Sequence, residues 1–161
     1  MIVILHNIRS AENVGSIFRT ADAIGAEKIY LLGYTPAPID EFGRQRQKLI
    51  KASLGAEKFI PWKKIKSVKP LITKIKKEGY KIFAIEQDKK SIPYYRLKTK
   101  NSRLKTTALI LGNEVKGLPY SILKLSDKIL EIPMLGKKES LNVAVAFGIV
   151  AFHLKYSVMR P

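Results

Sequence analysis

One stretch near the C-terminus constrains the fold of this chain more than any other. From Leu141 to Phe152 the only polar side chain is that of Asn142. A helix that is apolar on every side must be buried on every side, under a sheet and against a second subunit as well. The run is far shorter than the ~18–20 apolar residues that a membrane span requires. We therefore expect a buried helix, and its single polar residue, beside Ser140 at the helix entrance, needs an explanation.

The composition predicts a single domain in a reducing compartment. The chain has 161 residues, 46% of them hydrophobic, and can bury about two thirds of its unfolded surface. It has no cysteine, which excludes disulfides, thiolate zinc sites and cysteine nucleophiles. Residues 1–5 lack the basic region of a signal peptide. We expect one domain over residues 1–161, a cytoplasmic location and no metal site.

The net charge of +17 points to a polyanionic partner. Residues 63–105 carry fifteen Lys or Arg side chains against three acidic ones, which is +12 of the total. No basic amphipathic helix is obvious, so nucleic acid is favoured over a membrane surface. The alternative is compositional, because 23 of the 30 basic residues are lysines, as in heat-adapted surfaces.

Apolar runs alternate with helically spaced segments along the chain. Short apolar runs predict strands at residues 1–5, 27–32, 58–60, 80–85, 106–111 and 127–132. Helical spacing predicts helices at residues 15–24, with Asn13 as N-cap, at 70–77, at 119–125 and from 141 onward. This alternation indicates an α/β fold, with a mostly parallel sheet flanked by helices.

Two connectors stand out by composition. Residues 33–46 contain two prolines and no periodicity, which is typical of a mobile surface loop, and their Arg44 and Arg46 could meet phosphate or simply be solvated. Residues 89–103 form a basic connector in which Tyr94 and Tyr95 could stack on bases or pack under a loop.

Three polar or glycine-rich turns each follow a predicted strand, which is where ligands bind in open α/β sheets. None matches the dinucleotide fingerprint or the phosphate loop, which disfavours a nicotinamide or ATP enzyme of the usual kind. In the first turn, Arg19 can lean back toward the helix start at Asn13, where a phosphate would fit. The alternative for that turn is a capped helix with an exposed arginine.

Together and in this order the three turns resemble the motifs of the SpoU (TrmH-type) branch of the SPOUT RNA methyltransferases. The resemblance also includes Ser53-Leu54-Gly55-Ala56-Glu57 and covers nearly the whole chain. The motifs read Asn13-Val14-Gly15-Ser16-Ile17-Phe18-Arg19, then Leu111-Gly112-Asn113-Glu114-Val115-Lys116-Gly117-Leu118, and finally Ile132-Pro133-Met134 with Ser140-Leu141-Asn142-Val143-Ala144.

The resemblance implies a fold and a cofactor that composition alone could not indicate. The C-terminal segment is expected to form a deep trefoil knot, a rare topology, and two chains are expected to dimerise through the C-terminal helix. S-adenosylmethionine is expected to lie bent in the knot. The residues expected to hold it are Leu111, Gly112, Asn113, Glu114, Gly117, Ile132, Met134, Ser140, Leu141, Asn142 and Ala144.

The resemblance further implies methyl transfer to a ribose 2′-hydroxyl of tRNA or rRNA. The catalytic residues would be Arg19, Asn13, Glu114, Ser140 and Asn142, and RNA would contact Arg9, Arg19, Arg44 and Arg46. Arg19 could act as a base, or, since guanidinium keeps its proton, it could bind phosphate and stabilise the developing alkoxide. We leave His6 and His153 out of the catalytic set, His153 because it lies roughly 16 Å along the helix from Asn142.

Two features depart from the pattern of the family. We expect no N-terminal RNA-binding extension of the kind that family members often carry, and we therefore expect the choice of target to come from the catalytic domain itself. Ala144 occupies a position where many relatives have serine, with little effect expected because the backbone makes the contact. The competing hypothesis is a non-catalytic RNA-binding protein that keeps the knot as a scaffold.

Overall fold

The fold is an α/β sandwich built on one sheet. The structure, a computed structural model, describes residues 1–97 and 106–157. The strands are β1 (Ile2–His6), β2 (Lys28–Leu32), β3 (Trp62–Ile65), β4 (Lys81–Ile85), β5 (Ile92–Pro93), β6 (Thr107–Leu111) and β7 (Lys128–Glu131). The helices are α1 (Ala11–Ala23), α2 (Gln47–Ser53), α3 (Val68–Lys77), α4 (Tyr120–Leu123) and α5 (Val143–Ser157). The predicted α/β fold class is confirmed.

The seven strands form one parallel sheet in the order β3-β2-β1-β6-β4-β7-β5. The central strands β1 and β6 are apolar except for His6 and Thr107 because helices cover both faces of the sheet, and β6 is buried at every position. All carboxyl ends lie at one edge. The chain leaves β1, β4, β6 and β7 there as four neighbouring loops, which bring residues distant in sequence together.

Each face of the sheet has its own hydrophobic core. Helices α1, α2 and α5 pack on one face, with Phe18 and Phe147 fully buried at its centre. Helices α3 and α4 cover the other face through apolar residues such as Ile75 and Ile122. None of the helices in the described ranges is long and apolar enough to cross a membrane.

Two local predictions were wrong, and one helix was missed. The N-cap of α1 is Ser10, whose hydroxyl accepts the backbone N–H of Asn13, so α1 begins four residues earlier than predicted. Helix α2 was not predicted. The strand expected at residues 58–60 is a 3-10 turn, Ala56–Lys58, because left-handed backbone at Leu54 and Gly55 turns the chain there, and β3 begins only after Pro61.

Helix α5 is covered on only one side within a single chain. Its inner residues Phe147, Val150, Ala151 and Leu154 are fully or almost fully buried. On the opposite side, Val145 is 50% exposed and Tyr156 is 56% exposed. The expected burial on every side is therefore not provided by this chain itself, and the trefoil knot also stays a prediction.

The two connectors have more structure than predicted. The loop at residues 33–46 folds back on itself through an antiparallel bridge between Ile39 and Gln45. In the basic connector, the Tyr94 ring packs edge-on against His153, with the ring centroids 4.9 Å apart, whereas Tyr95 is exposed. Residues 98–103 of that connector lie outside the described residues.

Gly15 sets the distance between α1 and α2. A Cβ atom at this position would lie 2.3 Å from the carbonyl oxygen of Leu49 and 2.7 Å from the Cβ of Ala52. We predict that Gly15→Ala destabilises the protein by roughly 1–3 kcal/mol, the cost of overpacking, measured by urea unfolding. Gly136→Ala is the matched control because nothing lies within 4 Å of its added Cβ. Equal stabilities for the two variants would contradict this packing.

Candidate active site

Three loops enclose a cavity of about 280 Å³ at the carboxyl edge of the sheet. They follow β4, β6 and β7, and the first turns of α5 close the remaining side. The lining residues are Ile85, Glu86, Gln87, Gly112, Asn113, Glu114, Val115, Gly117, Leu130, Glu131, Ile132, Glu139, Ser140, Leu141, Val143 and Ala146. The cavity therefore joins two of the three predicted motifs directly.

Glu114 ties the remaining motif to this cavity. Its Oε2 accepts the backbone N–H of Arg9 at 2.9 Å, and its Oε1 accepts the backbone N–H of Ser10 at 3.0 Å. The same Oε1 accepts Nδ2 of Asn13 at 3.1 Å. A carboxylate facing free N–H groups at the start of a helix is also favoured by the helix dipole. Glu114 thus fixes the start of α1 against the loop after β6.

Burial alone would raise the pKa of Glu114, because it disfavours the charged form. The hydrogen bonds from Arg9 and Ser10, with that from Asn13, outweigh this effect and hold the pKa below its ordinary value. Glu114 is therefore a carboxylate at neutral pH. It can accept hydrogen bonds there, but it has no proton to donate.

Asn142 joins the first motif to the third. Its Nδ2 donates to Oδ1 of Asn13 at 3.0 Å, while its own Oδ1 accepts the backbone N–H of Ala144 at 2.9 Å. Asn142 therefore caps α5 with one end of its amide and reaches α1 with the other. This dual contact explains the single polar residue of the apolar stretch. Side chains from all three motifs form one continuous chain, Glu114–Asn13–Asn142.

Asn113 and two glycines shape the loop after β6. Asn113 is 8% exposed, and its Nδ2 donates to the Asn7 carbonyl oxygen at 3.0 Å and to the Tyr34 hydroxyl at 2.8 Å. A Cβ at Gly112 would lie 2.5 Å from the backbone of Gly117. Gly117 itself has φ of 63°, a conformation that favours glycine. The amide of Asn113 is thus engaged within the protein.

The sequence reasoning missed Glu86 and Gln87, which follow β4. Glu86 accepts the backbone N–H of Leu118 at 2.7 Å and so holds the turn at Gly117. Gln87 donates its Nε2 to the Glu139 carbonyl oxygen at 2.5 Å and so holds the third motif. Their position directly after a buried strand at the ligand-binding edge was the signal that could have found them.

The charge of this cavity is opposite to that of the protein. Glu86, Glu114, Glu131 and Glu139 line it, which is four of the thirteen acidic residues. Within the described ranges, lysine and arginine are absent from its lining. Apolar side chains such as Ile132 and Leu141 provide the remaining wall. Such a cavity suits a ligand that combines a cation with an apolar, planar part.

The structure brings most of the predicted cofactor residues together. Those that line the cavity are Gly112, Asn113, Glu114, Gly117, Ile132, Ser140 and Leu141. Those outside its lining are Leu111, Met134, Asn142 and Ala144. The backbone N–H of Ala144 donates to Oδ1 of Asn142, which caps the helix.

Arg19 stands apart from the hydrogen-bonded chain. It lies on the third turn of α1, not the second, and is exposed. It lies six positions after Asn13, which is about 9 Å along the helix axis. Among the described residues, none of the hydrogen bonds or ion pairs involves its side chain. Its guanidinium is therefore available to a partner outside this chain.

The predicted RNA-binding arginines are all exposed, but their settings differ. Arg44 pairs with Asp40, with Nε 3.0 Å from Oδ2, and lies over the Phe42 ring. Arg46 precedes α2, and Arg9 uses its backbone N–H for Glu114. Arg9, Arg19 and Arg46 are thus the cations of this set without an acidic partner in the described part of the chain.

Comparisons with known proteins agree with this geometry. The family model described as the SpoU rRNA Methylase family matches residues 1–152. The chain is 30% identical over 152 residues to a tRNA (guanosine(18)-2′-O)-methyltransferase from Aquifex aeolicus, covering 94% of this chain and 67% of that protein. It is also 30% identical over 154 residues to a 23S rRNA (guanosine(2553)-2′-O)-methyltransferase from Bacillus subtilis, covering 96% and 57%.

A solved structure agrees as well. The crystal structure of an AdoMet-bound rRNA methyltransferase from Sinorhizobium meliloti superimposes with a TM-score of 0.82 at 28% identity. The match covers 97% of this chain and 56% of that one. The chain thus spans about two thirds or less of these three relatives.

Glu114→Gln should lower the melting temperature by roughly 2–4 °C at pH 7, since about 1 kcal/mol of hydrogen bonding is lost. The lowered pKa of Glu114 means that its contribution is present above the ordinary carboxyl range and is lost as pH falls through the lowered value. The difference between wild type and variant should therefore shrink below about pH 4. Glu41→Gln, at an exposed carboxylate, is the control in thermal melts across this range. A difference that does not change with pH would contradict the role of the charge.

Proposed function

Because the chain belongs to the SpoU rRNA Methylase family, we propose that it is an S-adenosylmethionine-dependent 2′-O-ribose methyltransferase acting on tRNA or rRNA. The observation that carries this proposal is the hydrogen-bonded chain Glu114–Asn13–Asn142, which joins the three motifs beside an acidic cavity. We also propose that residues 1–161 form a single methyltransferase domain and that the protein works in the cytoplasm.

The acidic cavity fits S-adenosylmethionine, which supplies a methyl group on a positively charged sulfonium. Glu114 and Glu139 place negative charge where a cation would lie, and Ile132 and Leu141 offer apolar surface to the adenine. Gly112 leaves the backbone of its loop bare, because any side chain there would collide with Gly117. The backbone groups of these loops would hold the cofactor, as the family resemblance implies.

The residues around Asn142 would hold the acceptor ribose. Ser140 lines the cavity and is exposed, so its hydroxyl can hydrogen-bond a sugar oxygen. Asn13 and Asn142 hold each other in place, and Glu114 fixes Asn13, so the rotamers of both amides are set before RNA binds. Such preorganisation keeps the acceptor hydroxyl aligned with the methyl group.

We propose that Arg19 stabilises the negative charge of the substrate. A 2′-hydroxyl is a weak nucleophile until its proton leaves, and the developing alkoxide must be stabilised. Guanidinium retains its proton, so Arg19 serves better by binding phosphate and stabilising the alkoxide than as the base. Its exposed position, without a partner in the described part of the chain, leaves it available for this task.

The proposal includes a homodimer formed through α5. Val145, Ile149, Phe152 and Tyr156 follow one another at spacings of four, three and four, which places them on one side of the helix. This stripe lies opposite the buried residues Phe147, Val150, Ala151 and Leu154. Contact with the same stripe of a second chain would shield these side chains from water and bury α5 on the side that its own chain leaves exposed.

The proposal predicts that the protein methylates total tRNA or rRNA in vitro and that nucleoside digestion yields 2′-O-methylnucleosides. Arg19→Ala should abolish this transfer, while calorimetry shows S-adenosylmethionine affinity within severalfold of wild type. The loss is expected because the charge of Arg19 acts on the substrate. Arg96→Ala, at another exposed arginine, is the matched control and should remain active.

Near-normal turnover by Arg19→Ala would refute its assigned role. Absence of S-adenosylmethionine binding at millimolar concentration, in a protein that still binds RNA, would favour the non-catalytic RNA-binding alternative.

For the dimer, we expect Tyr156→Glu to convert the protein to a monomer in analytical ultracentrifugation. A carboxylate in the apolar stripe would be desolvated without a partner. Tyr120→Glu is the matched control, because Tyr120 is similarly exposed, at 58%, but belongs to α4 on the other face of the sheet. Equal sedimentation of the two variants as dimers would place the interface elsewhere.

A further inference from the structure

A second cavity, of about 770 Å³, lies at the same edge of the sheet beyond β2 and β3. Its volume is within the range of small-molecule sites. The lining residues are Arg9, Tyr34, Thr35, Pro36, Ala37, Ile39, Asp40, Glu41, Arg46, Trp62 and Lys64. It thus combines aromatic rings with cations, whereas the cofactor cavity combines apolar side chains with carboxylates.

The edge strand β3 supplies one wall of this cavity. Side chains alternate along a strand, so Trp62 and Lys64 project from the same face of the sheet. Lys63 and Ile65 line a different cavity on the opposite face. Trp62 is partly buried and packs on the core beneath α1 and α2, so its position is fixed while its ring lines the opening.

Three cations line the cavity, Arg9, Arg46 and Lys64. The ammonium of Lys64 donates to the Thr35 carbonyl oxygen. Partial burial lowers the pKa of Lys64, and the neighbouring charge of Arg46 lowers it further. Of the two acidic residues in the lining, Asp40 is already paired with Arg44, and Glu41 is exposed. Mutual repulsion of Lys64 and Arg46 would be relieved by an anion between them.

The second cavity shares a wall with the active site. The Tyr34 ring is 58% exposed, and its hydroxyl accepts a hydrogen bond from Nδ2 of Asn113, which lines the cofactor cavity. Arg9 lines the second cavity, and its backbone N–H donates to Glu114. A ligand here would therefore sit beside the acceptor ribose.

We propose that this cavity binds a nucleotide that flanks the methylated one in the RNA chain. Its base stacks on Trp62 or Tyr34, and its phosphate lies between Arg46 and Lys64. Aromatic stacking combined with cations is the usual recognition of unpaired RNA. The inference rests on the proposed function, because it takes RNA as the substrate. A second copy of this chain fits less well, since a two-fold contact would oppose identical cations.

Trp62 is the only tryptophan, so its fluorescence reports the occupancy of the cavity directly. We expect penta-adenylate RNA, added at low salt without S-adenosylmethionine, to quench this fluorescence saturably. Lys64→Met should weaken the binding about tenfold or more, the effect of losing a charge-assisted contact. Lys63→Met is the matched control, because it removes the same charge from the next residue on the opposite face. Inorganic phosphate at equal ionic strength should not quench.

Three results would overturn this subsite: no quenching by penta-adenylate, equal weakening by the two lysine variants, or a change of oligomeric state in Lys64→Met. In methyl transfer, Lys64→Met should raise the KM for RNA and leave S-adenosylmethionine affinity unchanged. If penta-adenylate quenches the fluorescence of the wild type but the protein never binds S-adenosylmethionine, the proposed function would be refuted and the subsite would stand. If the wild type methylates RNA and Lys64→Met has the same KM for RNA, the subsite alone would be refuted.

Discussion

The site depends first on one carboxylate. Glu114 arrives at the end of β6 and accepts hydrogen bonds from the backbone of Arg9 and Ser10 and from the side chain of Asn13. Without this carboxylate, the backbone N–H groups of Arg9 and Ser10 would lose their acceptor, and the start of α1 would not be fixed against the loop after β6. With it, Asn13 faces Asn142, and the cap of α5 is tied to the first turn of α1. The parallel sheet makes this possible, because the strands preceding Glu114 and Arg9 are neighbours in it.

The two cavities at this edge of the sheet differ in charge. A protein with a net charge of +17 attracts RNA from a distance, but the same field would repel a cationic cofactor. Lining the cofactor cavity with glutamates reverses the potential locally, and salt screens the distant lysines over about 10 Å. The cations instead line the neighbouring cavity, at Arg46 and Lys64. Under the proposed function, the two cavities would separate the two charged ligands of one reaction.

The sequence predicted the five inner strands well because helices cover both faces of the sheet there, and burial leaves an apolar run that is easy to read. It misplaced β3 and missed β5, the two edge strands, which are less buried. It also predicted site roles for Asn13, Glu114 and Asn142 from their distinctive motifs, and the structure joins these three side chains by hydrogen bonds. It failed where tertiary contacts decide. Asn13 was predicted as the N-cap, but Ser10 takes that position and leaves the Asn13 amide for Glu114 and Asn142. Glu86 was missed because its hydrogen-bond partner, Leu118, lies 32 residues away, so that only its position directly after a buried strand could have pointed to it.

The site and the proposed dimer interface meet at the start of α5. Asn142 caps this helix, and Val145, three residues later, begins its exposed apolar stripe. A helix of this hydrophobicity with one bare side gains more from packing than from its own hydrogen bonds. Covering the stripe would therefore stabilise the first turn of α5 and, through the cap, the contact between Asn142 and Asn13. In this arrangement, assembly of two chains would fix the amides that hold the acceptor ribose, so dimerisation would contribute to catalysis as well as to stability.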